Sequence, residues 1–291
     1  MNQILLNGLV LGSYYALISL SVSIIYTPAR FFHFAHGAVF TSAAYFCLGF
    51  HALPGMPFWM AAALGVAAAG LVGMALDLIV YRRLRKRGAS SLVMLMASLG
   101  LYIVLQNLIS LIFGDDTKSL RSLETSEGVQ LLGGKITLIQ FCMFFGSVAA
   151  ILFLLITIKC TTLGKEMRAV ANDATLARIH GIKVDSVILT AFALGSLLVG
   201  LAAVLHAMDT GMVPTMGLGA MMGGAVAMIL GGVGNHFGAV VGGALLGIAQ
   251  QLVTWKFGNQ WQDTTVFVVL IVLLVARPQG LFGTVLSKGK A

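Results

Sequence analysis

Long apolar runs alternate with short polar breaks along the chain, and the runs have the length of membrane helices rather than strands. Ile4 to Tyr26 is the first predicted span, with no ionisable side chain apart from tyrosines, and it closes at Thr27-Pro28-Ala29-Arg30. Proline cannot extend the helix there, and arginine favours the cytoplasmic surface. A second apolar stretch, from Phe31 to about Phe50, is short for a full crossing and predicts a broken or re-entrant helix. Spans follow at Phe58 to Val80, Ala89 to Phe113, Ile136 to Ile158 and Ser186 to His206. From Met216 to Gln251 the chain is glycine-rich, and its polar break at Asn235-His236 predicts two helices or a helix pair about a turn. Thr264 to Ala276, extendable back to Trp261, is the last span. The expectation is an all-α integral membrane protein, a single transmembrane domain over residues 1–291. It has about nine crossings, or eight if a segment is re-entrant, with the N-terminus periplasmic and the C-terminus cytoplasmic.

Small residues recur every four positions at Ala61, Gly65, Ala69 and Gly73, at Gly234, Gly238 and Gly242, and at Gly243 and Gly247. Such stripes let helix backbones approach closely. Composition agrees with membrane burial: 58% of residues are apolar and 10% charged, against about 25% charged in a soluble domain. The net charge of +8 lies in loops beside the spans, so it speaks of orientation rather than of nucleic acid. Arg82, Arg83, Arg85, Lys86 and Arg87 mark a cytoplasmic loop. The loop 114–135 sets Asp115, Asp116, Glu124 and Glu127 against Lys118, Arg121 and Lys135, which places it in the periplasm. Arg277, Lys288 and Lys290 hold the tail inside, and Trp59, Trp255 and Trp261 suit the outer interface. Cys47, Cys142 and Cys160 suggest neither a disulfide framework nor a zinc site, and the first span lacks the basic start of a cleaved leader.

The longest polar run is Lys159 to Asp185, with five cations and three carboxylates. It reads as an inward loop with its own helix: Thr162 as cap, Glu166 in the first turn, and a mildly apolar face of Ala169, Val170, Ala174, Leu176 and Ala177. Gly181 ends that helix. The run is either a solvated connector or a docking surface for a soluble partner. Elsewhere the spans are uncharged apart from Asp77, which reads as an interfacial ion partner. Ion-coupled carriers usually need intramembrane ionisable groups, so that class is weakened. His33 and His36 would share a helical face, but no carboxylate or cysteine completes a metal set, and packing or pore lining is the favoured reading. No phosphate-binding loop and no catalytic constellation is present; Gly164-Lys165 is followed by Glu166 and lacks the upstream glycine. A pore without its own energy source, plus one structured inward loop, points to a permease driven by a separate ATPase rather than to an enzyme.

Several stretches carry a family resemblance: NGLVLGSYYALISLSVSIIY (Asn7 to Tyr26), FHFAHG (Phe32 to Gly37), GKEMRAVANDATLARIHGI (Gly164 to Ile182), LGGVGNHFGAVVGG (Leu230 to Gly243) and ARPQGLFG (Ala276 to Gly283). The chain resembles the permease subunits of bacterial ABC importers for branched-chain amino acids. The resemblance implies two ATP-binding subunits that hold the ATP and magnesium, a second related permease, a periplasmic binding protein, and multi-pass insertion among the lipids of a bacterial inner membrane. The inward loop would then hold the coupling helix, with Gly164, Glu166, Arg168, Ala169, Asp173, Ala177 and Gly181 as docking residues. His33 replaces the family's usual asparagine before FAHG, and Asn235-His236 is unusual in the glycine-rich turn. Both departures bear on the solute: leucine, isoleucine and valine, or urea and short amides as in some relatives. His36, Gln106, Asn107 and Asp209 are the candidate polar groups of the substrate path, each with helix packing as the alternative reading.

Overall fold

The structure, a computed structural model, describes residues 2–120, 128–131 and 133–283. Arg121, Glu124, Glu127, Lys288 and Lys290, used above for orientation, lie outside the described residues. Helix α1 spans Asn2–Ala29 and α2 His36–His51. Helix α3 (Phe58–Leu76) runs through a wide π-helical turn at Asp77–Tyr81 into α4 (Arg82–Lys86). Then come α5 (Ser91–Phe113), a hairpin of β1 (Val129–Leu131) and β2 (Gly134–Ile136), and α6 (Leu138–Cys160). Two short helices, α7 (Thr162–Asn172) and α8 (Ala174–Ile179), precede α9 (Val184–Thr210). The chain ends through α10 (Met216–Gly231), α11 (His236–Phe257) and α12 (Gln262–Ala276).

Among the described residues, seven helical segments are long and apolar enough to cross a membrane. Helices α2 and α10, with 16 residues each, are about 24 Å long, short of the roughly 30 Å hydrocarbon core. The expected short second segment and the Asn235-His236 break are both present. The bundle is the expected all-α membrane architecture, with one small hairpin outside the helices that pairs Val129 with Ile136 in antiparallel register.

Because lipid tails are as apolar as leucine, close backbone approach has to hold such a bundle together. Helix α1 is the axis, buried over nearly its whole length. It packs on α11 through glycine: a Cβ added at Gly247 would lie 2.2 Å from the backbone nitrogen of Gly12, and one at Gly243 2.3 Å from that of Ala16. Gly242 and Gly238 turn the other way, towards the carbonyls of Ala227 and Gly231 on α10. The stripe on α3 is buried as expected: Gly65 meets α2 at Ala43 and Cys47, Gly73 meets Ser196, and Ala69 faces Gly200 on α9. By contrast α5, α6 and α12 turn large apolar side chains outward, with Leu111 82% and Val275 83% exposed. A surface of that composition belongs in lipid.

The two ends of the bundle differ. At one end, Arg30 donates to the carbonyl of Ala171, Arg85 and Arg82 meet Asp185, and His236 meets Ser23. This loop end gathers the arginine-rich turn, α7 and α8. At the other, the hairpin end, Gln3 pairs with the backbone of Lys135, and Lys118 exchanges two backbone hydrogen bonds with Met212. The residues after α12 return to the loop end, where Leu281 and Phe282 donate to the carbonyls of Leu230 and Gly231. Asn235 caps α11 by accepting from the Gly238 amide at 2.9 Å, and also donates to Phe282 O. Its place in the glycine-rich turn is therefore structural.

Candidate functional site

The inward loop is two helices rather than one. Thr161, not Thr162, stands at the N-cap of α7, and its hydroxyl donates back to Thr157 O at 2.6 Å instead of capping. Glu166 falls beyond the first turn. The run breaks at Asp173, whose carboxylate accepts from the amides of Thr175 and Leu176 at 2.7 and 2.9 Å and so caps α8. Gly181, at φ +82°, closes α8: its amide reaches Arg178 O and that of Ile182 reaches Ala177 O. That bond pair is the Schellman arrangement, in which glycine takes the left-handed position without strain.

The loop lies tightly against the bundle. Gly164, Met167 and Val170 form the buried face of α7, and Ala177 is buried in α8. A Cβ on Gly164 would stand 1.7 Å from Ile158 O, so only glycine lets α7 fold back against the end of α6. Arg168 donates to the same carbonyl at 3.4 Å. Arg30, the one non-glycine residue at positive φ among those described, follows the end of α1 and holds α7 through Ala171 O. Gly164→Val is expected to detach α7 and cut transport at least about tenfold while the spans still insert, overpacking of this kind costing about 1–3 kcal/mol. Membrane yield and uptake, measured together, check this.

Of the seven expected docking residues, Gly164 and Ala177 face the bundle, Ala169 and Glu166 are half-buried, and Arg168, Asp173 and Gly181 are exposed. Two residues not singled out as docking groups are the most outward apolar groups on the loop. Leu176 is 52% exposed and Ile179 75% exposed, one turn apart on α8. The sequence groups Leu176 on one apolar face with Ala169, Val170, Ala174 and Ala177, but Val170 and Ala177 are buried while Leu176 is not. The break at Asp173 resets the helical phase and turns it outward. The signal was in the sequence, as Asp-Ala-Thr-Leu is a ready start for a new helix.

A second polar centre lies inside the bundle. His33 is not on a helix with His36; it sits in the turn between α1 and α2, and the two rings are 5.5 Å apart. His33 Nδ1 lies 3.0 Å from the Tyr81 hydroxyl and 3.3 Å from Ser98 Oγ, which also accepts from the Ala35 amide at 2.9 Å. The Ser21 hydroxyl donates to Ile18 O at 2.6 Å, so His36 Nε2, 3.0 Å away, is the donor to Ser21. His36 Nδ1 and His33 Nε2 are buried without a partner. With its Nε2 donating, His36 does not stand as the base that would take the Ser21 proton in this arrangement. Among the described residues no three His, Cys, Asp or Glu side chains gather as a metal site.

The four candidate path residues lie in different places. His36 is in this interior centre. Gln106 is half-buried on α5, and Asn107 is exposed and bonded to its own helix at Ile103 O. Asp209 is half-buried at the hairpin end of α9. The structure therefore does not gather them around one cavity. His36 meets Ser21 and the His33 ring instead, and His33 in turn meets Tyr81 and Ser98. Three of these are spaced far apart in the sequence, and only the fold reveals their meeting.

The branched-chain amino acid transport system / permease component family matches residues 4–276. The chain belongs to this family. It is 32% identical over 294 residues to the high-affinity branched-chain amino acid transport system permease protein BraD of Pseudomonas aeruginosa, covering 97% of this chain and 95% of BraD. It is 31% identical over 296 residues to LivH of Escherichia coli K12, with the same coverage of each. A probable branched-chain amino acid transport permease protein LivH of Methanocaldococcus jannaschii is 24% identical over 97% of this chain and 92% of its own length. The permease family and the seven apolar segments together make this a multi-pass membrane protein. In this permease, the Leu176–Ile179 face points out of the bundle and the His33–His36 centre lies buried within it.

Proposed function

We propose that this chain is one permease subunit of an ATP-driven ABC importer that carries leucine, isoleucine and valine into the bacterial cytoplasm. The observation that carries the reading is similarity to permeases of that name along almost the whole chain, with the inward loop included. The loop end faces the cytoplasm, because it collects Arg30, the Arg82–Arg87 cluster and the loop cations. The N-terminus is then periplasmic, and the hairpin end receives solute from a periplasmic binding protein. Helices α7 and α8 dock on an ATP-binding subunit, two of which supply ATP and magnesium. Exposed apolar faces of α5 and α12 leave room for lipid and for a second, related permease. The interior cluster of neutral hydrogen-bonding groups suits a small zwitterion with an aliphatic side chain.

An importer of the same class for urea or short amides is the second reading, favoured by His33 at a position where the family resemblance implies asparagine. Copurification of the tagged chain in mild detergent, followed by an ATPase assay with the binding protein, separates the two. Stimulation by leucine, isoleucine or valine is the expected result. Stimulation by urea or an amide alone would overturn the substrate, and copurification without any ATPase would overturn the class.

A further inference from the structure

Asp77 is fully buried, yet it lies in the wall of a membrane bundle. Its two carboxylate oxygens take both terminal nitrogens of Arg85, at 2.6 and 3.2 Å. The same guanidinium reaches Asp185 at 3.6 Å, and Arg82 reaches the other oxygen of Asp185 at 3.5 Å. Asp185 stands at the start of α9, directly after the α7–α8 loop. Asp77 opens the π-turn that Tyr81 closes, and the hydroxyl of the buried Tyr81 meets His33 between α1 and α2. His33 in turn meets Ser98 on α5. One chain of contacts thus runs from the loop to the interior centre: Asp185, Arg85, Asp77, the wide turn, Tyr81, His33, Ser98.

Buried ion pairs are poor stabilisers compared with apolar packing and are better suited to fixing one arrangement among several. A π-turn is a local irregularity of the kind often found at functional sites. We infer that Arg85 is a positioning residue for transport, a fork that transmits displacement of the α8–α9 junction to the Tyr81–His33 contact and so to α2 and α5. Arginine is required because its planar fork serves two carboxylates at once, which lysine cannot do. This inference rests on the importer reading given above.

The test uses the reconstituted complex with its ATP-binding subunits, sister permease and binding protein, and reads leucine taken up per ATP hydrolysed. Asp185→Asn cuts the link at its half-exposed end and leaves the Arg85–Asp77 pair intact; Arg85→Lys keeps the charge and loses the fork. Both variants are expected to assemble and to hydrolyse ATP at the basal rate. Uptake per ATP is expected to fall about tenfold, within the ordinary range of coupling between sites. The wild-type ratio in either variant would overturn the proposal. Loss of assembly in step with uptake would also overturn it, by reducing the network to a structural one. A wild-type complex without ATP-driven uptake would instead overturn the importer reading itself.

Discussion

Leu176→Asp combined with Ile179→Asp is expected to abolish capture of the ATP-binding subunits and, with it, uptake. Both side chains already face away from the bundle, so the double change leaves the permease's own packing alone. Covering one such aliphatic side chain contributes about 1.5–3 kcal/mol. Losing two, and forcing carboxylates into an apolar groove, weakens association by at least about a hundredfold. The comparison is between copurified ATP-binding subunit and unchanged membrane yield of the permease. Undiminished capture would mean that α8 is not the docking element.

Gly247→Leu is expected to prevent a stable bundle from forming. The added side chain meets backbone atoms of Gly12 and Leu11, which cannot swing aside as a flexible side chain would. Helix α1 must separate from α11 along its glycine face, and α1 is the axis on which α9, α10 and α11 all rest. The cost exceeds the roughly 1–3 kcal/mol of ordinary overpacking. A fluorescence-detected size-exclusion profile shows the outcome as loss of the monodisperse peak. Gly219→Ala, where a Cβ meets nothing, is the control and should leave the peak in place.

These two sites differ in how far the sequence disclosed them. The glycine stripes, the Asn235-His236 break and the arginine-rich turn were legible because each departs locally from an otherwise apolar chain. The small residues on α3 proved buried, as their four-residue spacing required. Helix faces were less legible. A helix apolar all round gives no phase, since core and lipid select the same side chains. Hence the sequence leaves the facing of Asn107 open; in the structure it is exposed on α5, and Tyr102, five residues earlier, is buried.

The interior centre was hidden for another reason. His33 lies far in sequence from Tyr81 and Ser98, and only the packing of α3 and α5 against the α1–α2 turn brings them together. Asp77 is an ion partner, as its place just before the arginine-rich turn implies. Its partner Arg85 lies eight residues on, beyond the adjacent Arg82 and Arg83, because the π-turn shifts the register between them. The break at Asp173 was missed for a simpler reason. A single helix from the Thr162 cap to Gly181 leaves no place for the second cap inside it.

As proposed above, this permease moves branched-chain amino acids only as part of an ATP-driven assembly. Leucine uptake into proteoliposomes tests it most directly, with the full complex in the membrane, ATP inside and loaded binding protein outside. Accumulation is expected to require internal ATP and to stop when Leu176 and Ile179 are replaced together. Accumulation in liposomes holding this chain alone, driven by a sodium or proton gradient without ATP, would contradict it.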